Sequence, residues 1–342
     1  MRILALVPGG IGDQILFFPT LDGLKQAYPE AQISVMVEPR ARGAYRVCKS
    51  VSEILTYDFK GRNSLADWGN FLGIVRDREY EVVVSLGQSW TVGLLLWLTG
   101  IPTRIGYAGG GEGLFISNPV PLKPEQYAAE MYYDLLKGLD IISPFPGLSI
   151  NVPKLDLDWG EAEQKRLGVK DSGYILIHGG SSQLAKQKGI DKIYPVASWQ
   201  KIIQDIQQRQ PNLPVIIVQG PEDGALVRQI VESCPQVKVT QPEDIGKLSA
   251  MIASANLMLC TDSAPMHLAV AVGTYTIALF GPTEPAKLLP KSDRVIGLKS
   301  PSGKMSDISP DQVIKKIWGG WNQLSVNSYQ LSVKSCQLIV NS

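Results

Sequence analysis

Two histidines and four cysteines in 342 residues leave few ways to build a metal centre. Cys48, Cys234, Cys260 and Cys336 lack zinc-site spacing and are too scattered for a disulfide framework, so they read as reduced thiols. Charge of one sign is also lacking. With 33 basic against 32 acidic residues the net charge is +1, without the basic excess of a surface that tracks nucleic acid. Long apolar runs are missing too. The N-terminal run ends after five residues, Ile3 to Val7, too short for a secretory h-region and suited to a first buried strand. Trp90 to Ile101, interrupted by Thr and Gly, reaches about half a bilayer span. It reads as a core helix, with a membrane contact through Trp90 and Trp97 as the alternative. A cytoplasmic protein without a nucleic-acid partner is expected.

What is present is an α/β pattern. Strand candidates at Arg2–Val7, Ile33–Val37, Ile54–Tyr57, Val82–Leu86 and Arg104–Tyr107 alternate with helical segments, which implies βαβ crossovers and a parallel sheet. Residues 142–153, rich in Pro and Ser, read as a linker. The pattern restarts with Tyr174–His178, Val215–Gln219, Val237–Thr240, Leu257–Thr261 and Thr274–Phe280. Two Rossmann-like domains are therefore expected, over 1–150 and 165–305. Ser309-Pro310 starts a last helix as N-cap and first helical residue. From 321 to 342 the chain repeats every seven residues (Gln323, Gln330 and Gln337 open the units) without a coiled-coil pattern, and reads as a dispensable tail.

The most informative stretch runs from Cys260 to Pro285. Asp262 and Ser263 follow a buried strand, Met266 to Val272 reads as a small-residue helix stopped by Gly273, and Gly281-Pro-Thr-Glu-Pro285 leaves the next strand. In a parallel sheet both polar loops lie at the carboxyl ends of strands, so they face one crevice. Near the start, Pro8-Gly-Gly-Ile-Gly-Asp13 follows the first strand and opens a helix. It lacks the third glycine of a dinucleotide fingerprint and the lysine of a P-loop. By spacing alone, Asp13 reads equally as a helix cap or as a carboxylate at the cleft.

These segments resemble glycosyltransferase family 9, the ADP-heptose:lipopolysaccharide heptosyltransferases and their relatives. The match rests on Gly10-Ile-Gly-Asp13 with Pro19, on Lys192-Ile-Tyr-Pro195 with Trp199, and on Asp262, Ser263, Met266, His267, Leu279-Phe280-Gly281-Pro282-Thr283 and Pro285. Ala264 departs from the family, which usually has Gly there. The resemblance covers residues 1 to about 318. It implies a GT-B architecture, with the active site in the cleft between an N-terminal acceptor domain and a C-terminal nucleotide-sugar domain. The helix at 309–320 is expected to cross back to the first domain.

The resemblance also assigns roles. Asp13 would be the general base of an inverting transfer, because an acceptor hydroxyl is a poor nucleophile until its proton is leaving. The departing nucleoside diphosphate needs its charge stabilised by helix amides, hydroxyls and a lysine, with no metal or other cofactor implied. Candidates for the donor side are Gly12, Ser181, Ser182, Lys192, Glu222, Asp262, Ser263, His267, Gly281 and Thr283. Lys186 and Lys188 are alternates to Lys192, and Asp223 is the alternate to Glu222 at the ribose. The helix opening at Ile245 is placed near the adenine. His178 reads as structural. His267 is left open between an imidazolium over the diphosphate and a neutral ring bonded to Asp262.

The expected donor is a nucleotide sugar, ADP-heptose, and the acceptor a lipid-linked or oligosaccharide hydroxyl. Arg40, Arg42, Arg62 and Arg104 could meet anionic groups of that acceptor. A peripheral contact with the cytoplasmic face of the inner membrane would follow from such an acceptor. Rival readings are an epimerase or a transferase using another donor, and a non-enzymatic two-domain binding protein.

Overall fold

Short apolar runs joined by helical crossovers pair in parallel. The computed structural model describes residues 1–59, 61, 64–109, 111–180 and 192–320. The first sheet contains β1 (Arg2–Val7), β2 (Gln32–Val37), β3 (Glu53–Thr56), β4 (Val82–Ser85), β5 (Thr103–Ala108) and β6 (Asn118–Pro121). The second contains β7 (Ile175–His178), β8 (Val215–Val218), β9 (Lys238–Thr240), β10 (Leu257–Thr261), β11 (Thr276–Phe280) and β12 (Val295–Lys299). Their orders, β3-β2-β1-β4-β5-β6 and β12-β11-β10-β7-β8-β9, are the same doubly wound topology used twice.

In that topology the strand order reverses between β1 and β4, and again between β7 and β10. The crevice that binds ligands opens at those points, beyond the carboxyl ends of the strands. Ile3 to Val7 and Leu257 to Cys260 are at most 1% exposed, because helices cover both faces of each sheet. The apolar core continues from one half to the other: Ile15 and Phe17 belong to the same cluster as Met266, Leu268 and Ala269.

The expected strands form within one or two residues of their predicted ends, and two edge strands go beyond the expectation. Pro119 and Pro121 make β6 unreadable as a strand, yet an edge strand tolerates proline because one side of it needs no partner. Gly297 and half-buried neighbours similarly weaken the signal of β12.

Two domain boundaries also differ. The linker is irregular through residue 153, but the helix Lys154–Leu167 packs on the helix Ile245–Ala253 and so joins the second half earlier than 165. The last helix does begin at 310, after Ser309. Through residue 320 it does not cross back. Val313, Ile314 and Ile317 pack with Ile202, Ile203 and Ile206 of the second half, and Trp318 Nε1 donates to Asp205 at 2.6 Å. Its apolar stripe is satisfied locally, which removes the reason to leave. The repetitive tail, 321–342, lies outside the described residues.

Candidate active site

Asp13 sits at the N-terminus of the helix Ile11–Ala27, as its third residue rather than its cap. Gly10 is the cap, and its N–H donates to Asp13 Oδ2 at 2.7 Å. The other carboxylate oxygen lies 3.4 Å from the Tyr132 hydroxyl, which donates to it from the buried face of the helix Ala128–Tyr133. Burial, and then the Asp13 charge, push the Tyr132 phenol far above its usual range, so it stays a donor. Gln14 is fully buried beneath the loop. It donates to the Val7 carbonyl at 3.0 Å and accepts from Tyr45 at 2.7 Å, holding residues 7–10 in place.

Across the cleft, the helix Ala264–Ala271 begins two residues earlier than the sequence suggests, with Ser263 as N-cap and Pro265 in its first turn. Gly273 ends the segment at φ +74°, a conformation that suits glycine. Asp262 does not cap this helix. Its Oδ2 accepts from Lys192 Nζ and from Thr283 Oγ1, both at 2.6 Å. Asp262 is 5% exposed, so the lysine compensates a buried carboxylate.

His267 joins the two sides. A Cβ added to Gly12 would come within 3.0 Å of the His267 ring, so glycine lets the two helix starts touch. Burial holds the His267 pKa below its ordinary value; Asp262 and Asp13 pull it up, and Lys192 reinforces the lowering. That lowering favours the neutral imidazole over the imidazolium. Its Nδ1 is buried without a hydrogen-bond partner among the described residues, so the bond to Asp262 expected of the neutral ring is not made through that atom. An unsatisfied buried nitrogen costs about 1–3 kcal/mol, the sort of cost that collects at functional sites.

Glu222 is exposed on the turn after β8, whereas Asp223 is buried and committed to protein partners, so the alternate for the ribose is the less accessible of the two. Gly281 has a packing reason: a Cβ there would lie 2.9 Å from Met305 Sδ and 3.2 Å from the Gly303 carbonyl oxygen. Ser181, Ser182, Lys186 and Lys188 lie outside the described residues, as does Arg62. Of the other arginines, Arg40 and Arg42 are exposed beside the Gly10 end of the cleft and in the segment 39–47. Arg104 is spent on backbone, donating to the carbonyl oxygens of Phe115 at 2.7 Å and Ile101 at 2.5 Å.

Two contacts seen only in three dimensions frame the cleft. Arg46 of the first half bonds both oxygens of Asp156 (2.8 and 2.6 Å) and meets Asp244 at 3.3 Å. Asp244 caps the helix Ile245–Ala253, whose Gly246 packs on Asp156, so the helix start assigned to the adenine also carries an inter-half ion cluster. Lys287 of the second half pairs with Glu125 of the first at 2.9 Å. No sequence signal links Arg46 to Asp156, or Tyr132 to Asp13, because each pair is more than a hundred residues apart.

The family model for glycosyltransferase family 9 (heptosyltransferase) matches residues 70–317. Lipopolysaccharide heptosyltransferase 3 of Escherichia coli K12 is 27% identical over 297 residues, spanning 83% of this chain and 84% of that protein. The photosynthetic NDH subunit of subcomplex B 1, chloroplastic, of Arabidopsis thaliana is 25% identical over 338 residues, spanning 90% and 71%. Among solved structures, the E. coli ADP-heptose LPS heptosyltransferase II superposes with a TM-score of 0.75 at 19% identity, covering 95% of this chain and all of that one.

Proposed function

The chain belongs to glycosyltransferase family 9 and is a glycosyltransferase of GT-B architecture, and on that premise we propose that its cleft transfers heptose from an ADP-linked donor to a hydroxyl of a lipopolysaccharide-type acceptor. The observation that carries this reading is the approach of the helix start at Gly12 and Asp13, in the first half, to the His267 ring in the second, on the helix that follows the Asp262–Lys192 pair. The heptosyltransferase names among the relatives support the choice of sugar and acceptor.

In this reading the first half is the acceptor domain and the second the donor domain. Asp13, braced by Gly10 and Tyr132, takes the proton of the acceptor hydroxyl as its oxygen bonds to the anomeric carbon. The bond from that carbon to the diphosphate breaks, and its electron pair leaves with the nucleoside diphosphate. A single displacement of this kind inverts the anomeric configuration. Lys192 and the start of the helix Ala264–Ala271 stabilise the departing charge. Thr283 and Asp262 fix the position of Lys192, Ser263 and His267 complete the donor side, and Glu222 meets the ribose. Lys192 would then exchange part of its Asp262 contact for phosphate. A lipid-linked acceptor brings the enzyme to the inner membrane, where exposed Trp90 and Trp97 suit the lipid interface.

The test is a binding panel of ADP, UDP, GDP and CDP followed by turnover with ADP-heptose, with EDTA present. ADP is expected to raise the melting temperature most, since a native-state ligand stabilises by its occupancy. Asp13→Asn should keep ADP binding within about twofold while kcat falls by roughly 10²–10⁴, the usual contribution of general-base catalysis. Stabilisation by UDP instead would retain the fold and remove the ADP-heptose donor. Undiminished kcat in Asp13→Asn would remove the base.

One relative favours a second reading. The Arabidopsis protein carries a subunit name. A chain with that kind of role would bind a protein assembly, ignore ADP-sugars and tolerate Asp13→Asn, so the same panel separates the two readings.

A further inference from the structure

We propose that His178 is a positioning residue of the donor site, a role that rests on the donor reading above. His178 ends β7, the strand between β10 and β8, and is 7% exposed. Its Nε2 lies 3.2 Å from Asp223 Oδ2, and its Nδ1 lies 3.2 Å from Ser263 Oγ. One imidazole therefore links the loop after β8 to the loop after β10. Both loops lie at the carboxyl ends of their strands, on the side where a nucleotide would bind.

Each neighbour of His178 is itself constrained. Asp223 Oδ2 also accepts from the Gly220 N–H at 3.1 Å, and a Cβ on Gly180 would fall 1.9 Å from Asp223 Oδ1. The carboxylate is thus wedged between the turns that follow β7 and β8. Ser263 caps the helix Ala264–Ala271 by position, yet its hydroxyl makes no capping bond. Pro265 has no N–H to offer, and the Met266 N–H is bonded to the Ser263 carbonyl oxygen at 3.0 Å. The hydroxyl instead reaches His178 and the Thr261 carbonyl oxygen, the latter at 3.2 Å. Thr261 Oγ1 donates to the Gly180 carbonyl at 3.0 Å and closes the set.

The consequence concerns Ser263. A carboxylate only accepts, so the ring presents an N–H to Asp223 through Nε2, and that bond fixes the ring plane. With the ring fixed, Nδ1 and the Thr261 carbonyl oxygen, each 3.2 Å away, share the single Ser263 proton and hold the hydroxyl between them. Asp223, which the sequence offers as a ribose ligand, acts here through His178 and leaves Glu222 as the exposed acid of that turn.

The experiment titrates ADP into the folded full-length protein as wild type, His178→Gln, Ser263→Ala and the double variant. Donor KM and kcat are measured on the same four. Gln keeps a donor where Nε2 stood but offers nothing at Nδ1. Each single variant is expected to weaken ADP binding about tenfold, the loss of roughly one hydrogen bond, and the double to be no weaker than either single. Donor KM should rise with kcat within threefold, and the melting temperature without ligand should hold. Asp223→Asn, which keeps the shape and loses the charge, should reproduce the effect and stands in if His178→Gln does not fold. Single effects that multiply in the double variant would overturn the proposal, and so would wild-type binding by both His178→Gln and Asp223→Asn. A wild type that binds no ADP sinks the donor reading itself, and this role with it.

Discussion

His267 shows how one side chain can be read for type but not for state. Its place after Asp262 marks it as a site residue, yet it is burial, with Gly12 against the ring, that lowers its pKa and favours the neutral form. Its pKa is lowered in the folded protein, so the unfolded chain binds more protons over the window between the folded and unfolded values. The stability it contributes is complete above the ordinary value of 6.5 and is lost as pH falls from there through the lowered one. Melting temperature measured from pH 7.5 to 5 should fall more steeply for wild type than for His267→Gln. Parallel curves would mean that the ring titrates alike in both states. Asp13 makes a similar point: sequence permits a cap or a base, and the Gly10 bond shows that it can brace the helix start while one oxygen stays at the cleft.

Between elements, the contact that matters most is Lys192 with Asp262. Lys192 leads into the helix Val196–Arg209 and Asp262 follows β10, so the pair ties one loop to the residue just past a strand end. Removing the lysine leaves a buried carboxylate that keeps its Thr283 bond and loses its compensating charge. Lys192→Ala is expected to lose about 3–5 kcal/mol of stability, the cost of an uncompensated buried charge. Most of that should return in Lys192→Ala with Asp262→Asn, as urea unfolding would show. Equal stability of the single and double variants would mean that the pair is not coupled. Loss of ADP binding in the single variant is therefore assigned to phosphate contact only at a urea concentration and temperature where that variant is shown to be folded. The helix Ala264–Ala271 teaches a related lesson. Ala264 has no positive φ, so the backbone there does not require the glycine usual in the family.

At the scale of the whole molecule, two sheets of identical order meet through helix starts and are also held by Arg46–Asp156 and Lys287–Glu125. No described helix is long and apolar enough to cross a membrane. The helix Trp90–Leu98 divides its apolar residues instead. Leu95 and Leu96 are buried with Phe71, while Trp90 and Trp97 are 58% and 53% exposed. Phe115 lies beside Trp97, and Leu114 next to it is 88% exposed, which extends the apolar surface. The protein is expected to sediment with vesicles containing anionic lipid, and Trp90→Ser with Trp97→Ser to reduce that severalfold without changing ADP binding. Absence of sedimentation by the wild type would withdraw the membrane contact.

The sequence by itself determined the parallel strands, the twofold use of one topology and the residue types at the carboxyl ends of β1, β8 and β10. These follow from local rules: apolar runs of strand length, with glycine, proline and polar residues at the turns. Edge strands β6 and β12 escaped because prolines and half-buried residues satisfy an edge without the usual pattern. Only the tertiary structure decided which of those residues meet. It placed Gly12 on His267, Tyr132 on Asp13, His178 between Asp223 and Ser263, and the last described helix on the second half. The physical reason is the same in each case. Hydrogen bonds and ion pairs between distant residues depend on how two independently formed sheets pack, and no local periodicity carries that information.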